Sequence, residues 1–202
     1  MNTIVSSSTE KKNIIITRDT QRRLVQDIKT IIQNPLTNHG IFYAHDEDDI
    51  LRGYALIIGP NETIYEDGYF MFEFHFPPNY PFSPPKLIFC TQGDNIRFHP
   101  NLYRNGKVCL SILNTWKGEG WTSCQTISSV LLTLVSLFHN KPLLNEPGIT
   151  KRHRDFETYH RIIEYKTYQV AINTILLQKN ISTSSSIKQN KLFEDLYIKE
   201  IK

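Results

Sequence analysis

The stretch YFMFEFHF, residues 69–76, most constrains the fold of this chain, because its aromatic side chains recur with a period of two. Successive side chains of a β-strand point to opposite faces. One face of the predicted strand therefore carries only aromatic residues, namely Phe70, Phe72, Phe74 and Phe76. The other face carries Met71, Glu73 and His75. The aromatic face is expected to be buried, most simply against a helix.

Three further strands are predicted at residues 41–44, 54–58 and 87–89, with turns rich in Asn, Asp, Gly and Pro between them. Successive strands with short connections favour an antiparallel meander. The prolines of FPPNYPFSPPK, residues 76–86, exclude a regular strand or helix there. An aromatic residue before proline raises the cis fraction, so Tyr80–Pro81 is predicted to be cis.

A first helix is predicted at residues 17–33, where apolar side chains recur at helical spacing. Asp19 or Thr20 is expected to cap its start, and Pro35 prevents its continuation. Further helices are predicted at residues 126–138 and 156–178. The order of helix, four strands, a long irregular stretch and then helices indicates an α+β fold.

The composition excludes several classes of protein. The net charge of +3 over 202 residues is too small and too dispersed for a typical nucleic-acid-binding protein. Three cysteines are too few for a disulfide framework, and they lack the paired spacing of a zinc site. No apolar run approaches the roughly 20 residues that a membrane span requires, and no secretory leader is evident. A soluble protein in a reducing compartment is expected.

Cys109 is the candidate nucleophile, in the segment FHPNLYRNGKVCLSILNTW at residues 98–116. By itself, a cysteine between two aliphatic residues is more often a buried packing residue. Its place in the irregular stretch favours chemistry, since such loops often carry function. Lys107 would favour the thiolate, and Asn101 could donate an amide N–H to a developing oxyanion.

The motifs YPFSPPK and HPN, a cysteine eight residues after that asparagine, a following Trp and an amphipathic helix together resemble the ubiquitin-conjugating enzyme family. The resemblance covers about residues 17–147. The segment around the cysteine and the NEPG at residues 145–148 resemble the large type Z branch of that family. The resemblance implies the ubiquitin-conjugating (UBC) fold.

The resemblance also implies a reaction. Cys109 would accept the C-terminal glycine of ubiquitin, or of a ubiquitin-like protein, from an activating enzyme as a thioester. It would then pass the modifier to a substrate lysine or to a ligase. Because the activating enzyme consumes the ATP, no cofactor or metal is expected. A cytoplasmic or nuclear monomer is expected.

Two more catalytic roles follow from the resemblance. Asn101 would stabilise the oxyanion or brace the loop beside Cys109, and the sequence does not separate these roles. Glu146 would orient the incoming lysine, although an isolated Glu is usually an ordinary surface charge. Many family members have an acidic residue two positions after the cysteine, where this chain has Ser111.

Two partner surfaces are implied as well. Arg22, Arg23 and Lys29 of the first helix would face the activating enzyme, although a charged helix face is usually only solvated. Phe82 and Ser123 would contact the ligase. Ser123 replaces the proline that is usual in the family's Trp-Ser-Pro turn, so ligase choice depends on a position that departs from the pattern.

The expected organisation is a flexible arm at residues 1–16, a catalytic core at residues 17–147 and a helical extension at residues 148–202. The extension contains a Ser-rich link near residues 181–190. In the type Z branch an extension of this kind packs on the core.

Two alternative functions remain open. A catalytically weak relative could act as a scaffold that binds ubiquitin or a partner conjugating enzyme, but such relatives typically lack the cysteine. A cysteine hydrolase could use His99 and Cys109, but no orienting acid accompanies the pair. The conjugating reaction requires that the Cys109 sulfur be open to solvent.

Overall fold

The computed structural model describes residues 16–176. Its α-helices and strands are α1 (Arg18–Gln33), β1 (Ile41–His45), β2 (Arg52–Ile58), β3 (Tyr69–His75), β4 (Lys86–Phe89), α2 (Ile127–Val135) and α3 (Phe156–Lys166). Short 3₁₀ segments lie at Thr37–His39, Ser111–Leu113 and Pro142–Asn145, and a π-helical segment, Thr167–Thr174, continues α3. This order confirms the predicted α+β, UBC-type fold.

The four strands form one antiparallel sheet in the order β1-β2-β3-β4, which confirms the predicted meander. β2 is two residues longer than predicted, because Arg52 pairs in register with His75 at the end of β3. The Tyr80–Pro81 peptide after β3 is cis, as predicted.

The aromatic face of β3 is buried, as its period-two pattern predicts. Its three phenylalanines and Phe76, which directly follows the strand, expose between 0% and 4% of their surface and belong to the main hydrophobic cluster, together with residues of α1 and α2. The opposite face is also covered. Met71 packs in a second cluster with Phe42, Leu56 and Ile175, the last of which follows α3.

The cap of α1 differs from the prediction. Thr17, rather than Asp19 or Thr20, occupies the cap position, and its side-chain oxygen accepts the backbone N–H of Thr20 at 3.1 Å. Thr20 is already inside the helix, where its hydroxyl donates to the Pro78 carbonyl at 2.9 Å. The helix ends before Pro35, as predicted.

α2 is shorter than predicted. It begins after Thr126, which forms a reciprocal capping box with Ser129, and it ends at Val135 rather than at Phe138. The apolar period continues beyond the helix because Leu137 and Phe138 remain in the core, exposing 6% and 2% of their surface. Burial therefore extends past the end of the α-helix into a tighter turn, in which the Leu137 and Phe138 N–H groups donate to carbonyls three residues back.

The chain after residue 147 packs against the core in its described part. Ile163 of α3 and Val170 of the π-helical segment belong to the main cluster, and Lys166 forms a 2.9 Å ion pair with Asp94. The predicted helix at residues 156–178 is thus α-helical and then π-helical in its described part, and its last two residues lie outside the described range. The predicted arm up to residue 15 and the Ser-rich link lie outside the described residues. Within residues 16–176, no helix is long and apolar enough to cross a membrane.

Candidate functional site

A small hairpin within the irregular stretch places Asn101 opposite Cys109. Backbone bridges join Leu102 to Val108, and the Tyr103 N–H donates to the Lys107 carbonyl at 2.9 Å. At the tip, Gly106 has a φ of +82°, and an added Cβ there would lie 3.1 Å from the Phe89 carbonyl oxygen. Glycine therefore allows this tight turn to sit against β4.

Two hydrogen bonds join Asn101 to Cys109. The Cys109 backbone N–H donates to the Asn101 carbonyl at 2.9 Å, and the Asn101 side-chain Nδ2 donates to the Cys109 carbonyl at 2.6 Å. Asn101 exposes 5% of its surface, and its Oδ1 is buried without a partner among the described residues. In this state the amide braces the loop. To serve an oxyanion, it would have to leave the Cys109 carbonyl.

Cys109 itself is buried, contrary to the expectation of an open sulfur. It exposes 2% of its surface, and its neighbours Val108 and Leu110 expose 3% and 5%. The burial follows from the hairpin, since both neighbours are core residues and the backbone of Cys109 is tied to Asn101. At this exposure Cys109 offers a partner protein almost no surface in the state that the structure describes.

His99 is a structural histidine. It exposes none of its surface, and its Nδ1 accepts the backbone N–H of Asn101 at 3.0 Å. Burial lowers the pKa of His99 to about 3, with smaller contributions from His139 and Arg97. The ring is therefore neutral near pH 7 and is committed to the turn, which argues against its use as the mobile base of a hydrolase.

Glu146 lies just beyond the 3₁₀ turn that ends at Asn145, and its side chain is 39% exposed. Its Oε2 lies 3.4 Å from an Nη atom of Arg97, two residues before His99. Sequence reasoning missed Arg97. Its position close to the HPN motif was the only signal that could have identified it.

The segment after Cys109 is held by side-chain contacts to the backbone. Thr115 Oγ1 accepts the Leu110 N–H at 2.9 Å, and Asn114 Oδ1 accepts the Trp121 N–H at 2.8 Å. The Trp121 indole N–H donates to the Pro81 carbonyl at 2.6 Å. Trp121 therefore packs the loop and ties it to the loop that carries the predicted ligase-contacting Phe82.

The two predicted ligase-binding residues are both exposed, Phe82 to 76%. Ser123 contributes a backbone carbonyl to the guanidinium of Arg23, with a separation of 2.6 Å. A second Nη of Arg23 donates to the Gln125 carbonyl at 2.5 Å. Arg23 thus joins α1 to the loop of Ser123.

The predicted activating-enzyme residues therefore divide into two groups. Arg22 and Lys29 are exposed on α1. Arg23 is instead engaged within the chain, since it also pairs with the buried Asp27 at 3.0 Å. Its guanidinium is used for contacts within the chain. This geometry lends no support to a role for Arg23 in binding a partner.

The described residues contain no group of three or more His, Cys, Asp or Glu side chains that could hold a metal ion. The other two cysteines lie apart from this site in the sequence. Cys124 is exposed beside Ser123, and Cys90 is partly buried at the end of β4.

Comparison with known proteins identifies similar chains. A family model described as ubiquitin-conjugating enzyme matches residues 23–186.

The chain is 45% identical to ubiquitin-conjugating enzyme E2 Z of Xenopus tropicalis over 157 residues, covering 76% of this chain and 50% of that protein. It is 46% identical to the Homo sapiens E2 Z over 153 residues, covering 74% and 43%. The dual E2 ubiquitin-conjugating enzyme/E3 ubiquitin-protein ligase BIRC6 of Homo sapiens is 45% identical over 139 residues, covering 63% of this chain and 3% of that protein. The chain spans about half the length, or less, of these relatives.

Proposed function

Because this chain belongs to the ubiquitin-conjugating enzyme family, with the type Z enzymes among its relatives, we propose that it carries ubiquitin as a thioester on Cys109. It then transfers the modifier to a substrate lysine or to a ligase. The observation that carries this proposal is the pairing of Asn101 with Cys109 across the hairpin, in which the side-chain amide lies 2.6 Å from the cysteine carbonyl.

The first step is an exchange between a thiol and a thioester. The Cys109 thiolate attacks the glycine carbonyl of ubiquitin on the activating enzyme, a new carbon–sulfur bond forms, and the activating enzyme's thiolate leaves. Cysteine suits this step because a few per cent of an ordinary thiol is already thiolate at neutral pH and is intrinsically very nucleophilic. The step needs no metal and no nucleotide on this chain.

The second step is harder because its nucleophile is an amine. A free lysine has a pKa of about 10.4 and is almost entirely ammonium near pH 7. The neutral amine attacks the thioester carbonyl, the nitrogen–carbon bond forms, the Cys109 thiolate leaves, and the amine loses a proton. Asn101 would stabilise the oxyanion, and Glu146 would orient the amine.

The exposed residues of α1 and of the Phe82 and Ser123 loops suit two partners. The exposed Arg22 and Lys29 would bind the activating enzyme, and the exposed Phe82 with the Ser123 loop would bind a ligase. We propose that the protein acts as a monomer in the cytoplasm or nucleus. Its mild charge and cysteine content are consistent with that setting.

A scaffold that binds ubiquitin without catalysis is the second candidate. The burial of Cys109, at 2% exposure, is the observation that favours it. A hydrolase is less well supported, because His99 is buried and its Nδ1 is committed to the Asn101 N–H.

One experiment separates these functions. The purified chain is mixed with ubiquitin, an activating enzyme and ATP, and the products are run on gels with and without reductant. A reductant-sensitive adduct supports conjugation, and Cys109→Ser should convert it to a reductant-resistant ester. Cys124→Ser is the matched control and should leave the adduct unchanged. Ubiquitin binding without any adduct would support the scaffold instead. Parallel reactions with ubiquitin-like proteins and their own activating enzymes identify the modifier.

A further inference from the structure

Arg97 connects Glu146 to the turn that presents Asn101. One Nη atom of Arg97 donates to the Pro100 carbonyl and also lies 3.4 Å from Glu146 Oε2. The guanidinium carbon lies 4.2 Å from the centre of the Tyr103 ring. A single side chain therefore contacts the acidic residue, the HPN turn and the hairpin that leads to Cys109.

We propose that Arg97 is a positioning residue for the transfer of the modifier to lysine. It fixes the Glu146 carboxylate and the Pro100 carbonyl, so that an incoming amine meets an oriented acceptor beside the Asn101–Cys109 pair. This inference rests on the proposed function, and it concerns only the second step of that reaction.

The geometry suits arginine better than lysine. A planar guanidinium can stack on an aromatic ring while its edge donates to separate oxygens, whereas an ammonium is a single point charge. The Arg97 Nε is buried and has no partner among the described residues, so the side chain is held by its Nη contacts and by Tyr103. Its side chain is 30% exposed, which leaves its outer edge in contact with solvent.

The charge of Arg97 also matters. A carboxylate beside an amine accepts a hydrogen bond from it, but it also stabilises the ammonium form, which cannot attack. A guanidinium paired with Glu146 offsets part of that charge while leaving the second carboxylate oxygen to accept a hydrogen bond. The amine can then be oriented without being held as ammonium.

Among the described residues, the side chains that interact with Glu146 come from two parts of the chain. Arg97 faces it from the segment before the HPN turn, and Tyr159 interacts with it from α3. Burial raises the pKa of Tyr159 well above its usual value, so its hydroxyl stays neutral near pH 7. Arg97 is therefore the positive charge that these contacts place beside Glu146.

The test follows discharge of the ubiquitin thioester after the activating enzyme has been stopped. The rate is measured with lysine and, separately, with hydroxylamine, which is already a neutral amine near neutral pH and needs no deprotonation. The variants are Arg97→Met, Arg97→Lys and Glu146→Gln, together with the double variant that combines Arg97→Met and Glu146→Gln. Arg104→Met is the matched control, since Arg104 is an exposed arginine of the same hairpin.

We expect Arg97→Met to slow discharge to lysine by roughly tenfold and to move its pH dependence up by roughly half a unit. Discharge to hydroxylamine should change by no more than about twofold. Arg97→Lys should restore the pH dependence but only part of the rate, because it keeps the charge and loses the planar fork. In the Glu146→Gln background, loss of Arg97 should no longer shift the pH dependence, and Arg104→Met should resemble the wild type.

Equal slowing with both nucleophiles and an unchanged pH dependence would overturn the inference, because Arg97 would then only support the fold. If Arg97→Met does not fold, the same comparison is made with Arg97→Lys and Glu146→Gln. An unchanged ratio of the two nucleophiles in both variants would again overturn it. Failure of the wild-type chain to form any thioester would refute the proposed function instead.

Discussion

The side-chain amide of Asn101 donates to the backbone carbonyl of Cys109 at 2.6 Å, and both residues are buried. The loop of Cys109 is therefore braced by the same group that is expected to serve the proposed reaction. Replacing Asn101 should therefore have two effects that can be measured separately, one on the free energy of unfolding and one on the rate of transfer to lysine.

Asn101→Ala is expected to affect both. Loss of the amide leaves the buried Cys109 carbonyl without its donor, which should lower the free energy of unfolding by about 1–3 kcal/mol. Loss of an oxyanion donor should slow discharge to lysine by a further factor that corresponds to about 2.7–4 kcal/mol. Urea unfolding and single-turnover discharge of the thioester measure the two effects. A variant that is destabilised but discharges at the wild-type rate would restrict Asn101 to bracing the loop.

The burial of Cys109 predicts the order in which the thiols react. Cys124 is exposed, whereas Cys109 exposes 2% of its surface. Limited reaction with a maleimide, followed by digestion and mass spectrometry, should modify Cys124 at least about tenfold faster than Cys109 in the resting protein. The difference should disappear in urea. Faster labelling of Cys109 than of Cys124 would contradict this prediction.

Arg22 and Arg23 are adjacent arginines of α1 in different environments, so the effects of replacing each one can be compared. Arg23 donates to the carbonyls of Ser123 and Gln125 and pairs with Asp27, whereas Arg22 is exposed. We expect Arg23→Met to lower the free energy of unfolding by about 1–3 kcal/mol, because two carbonyls lose their donor and the buried Asp27 carboxylate loses its ion pair, keeping only the hydrogen bond from the Tyr80 hydroxyl.

Arg22→Met should change stability by less than about 0.5 kcal/mol. Its expected effect is instead on charging by the activating enzyme, which is measured by the rate of thioester formation. Equal stability of the two variants would contradict the bridge that Arg23 forms in the structure.

The lowered pKa of the buried His99 predicts that the folded chain loses stability in acid. Its pKa is lowered to about 3 in the folded chain, mainly by burial, from about 6.5 in an unfolded one. Below about pH 6.5 the unfolded chain therefore binds a proton that the folded chain does not. The stability from His99 is present in full above about pH 6.5 and is lost as the pH falls toward 3.

His99→Asn keeps an oxygen that can accept the Asn101 N–H but removes the titration. Between about pH 6.5 and about pH 5, the wild type should lose about 1–2 kcal/mol more than the variant in urea unfolding. Burial also lowers the pKa of His45, so the difference between the two proteins, rather than the wild-type curve alone, reports on His99. If the stabilities of the wild type and of His99→Asn fell in parallel as the pH was lowered, the lowered pKa of His99 would be contradicted.

Much of the fold follows from local patterns. The alternation of residues 69–76 predicts both the central strand and its buried face, because a period of two can be satisfied only by a strand. The α1 cap was assigned wrongly because Thr17, Asp19 and Thr20 are all good capping residues. The choice among them depends on a tertiary contact, the bond from Thr20 to the Pro78 carbonyl.

The candidate site was less predictable, because its contacts join residues that are distant in the chain. A sequence pattern places Asn101 eight residues from Cys109, but it does not show that the hairpin buries the sulfur. Nor does it show that Arg23 reaches a loop 100 residues away. Arg97 was missed for the same reason, since its partner Glu146 follows only after another helix.

The packing of Ile163 and Val170 into the main hydrophobic cluster, and of Ile175 against Met71, has a practical consequence. A fragment that stopped at Gly148 would keep every motif that carries the family resemblance and yet leave apolar surface on both sides of the sheet uncovered. The shortest piece of this protein that can be expected to fold well is therefore longer than the piece that contains its chemistry.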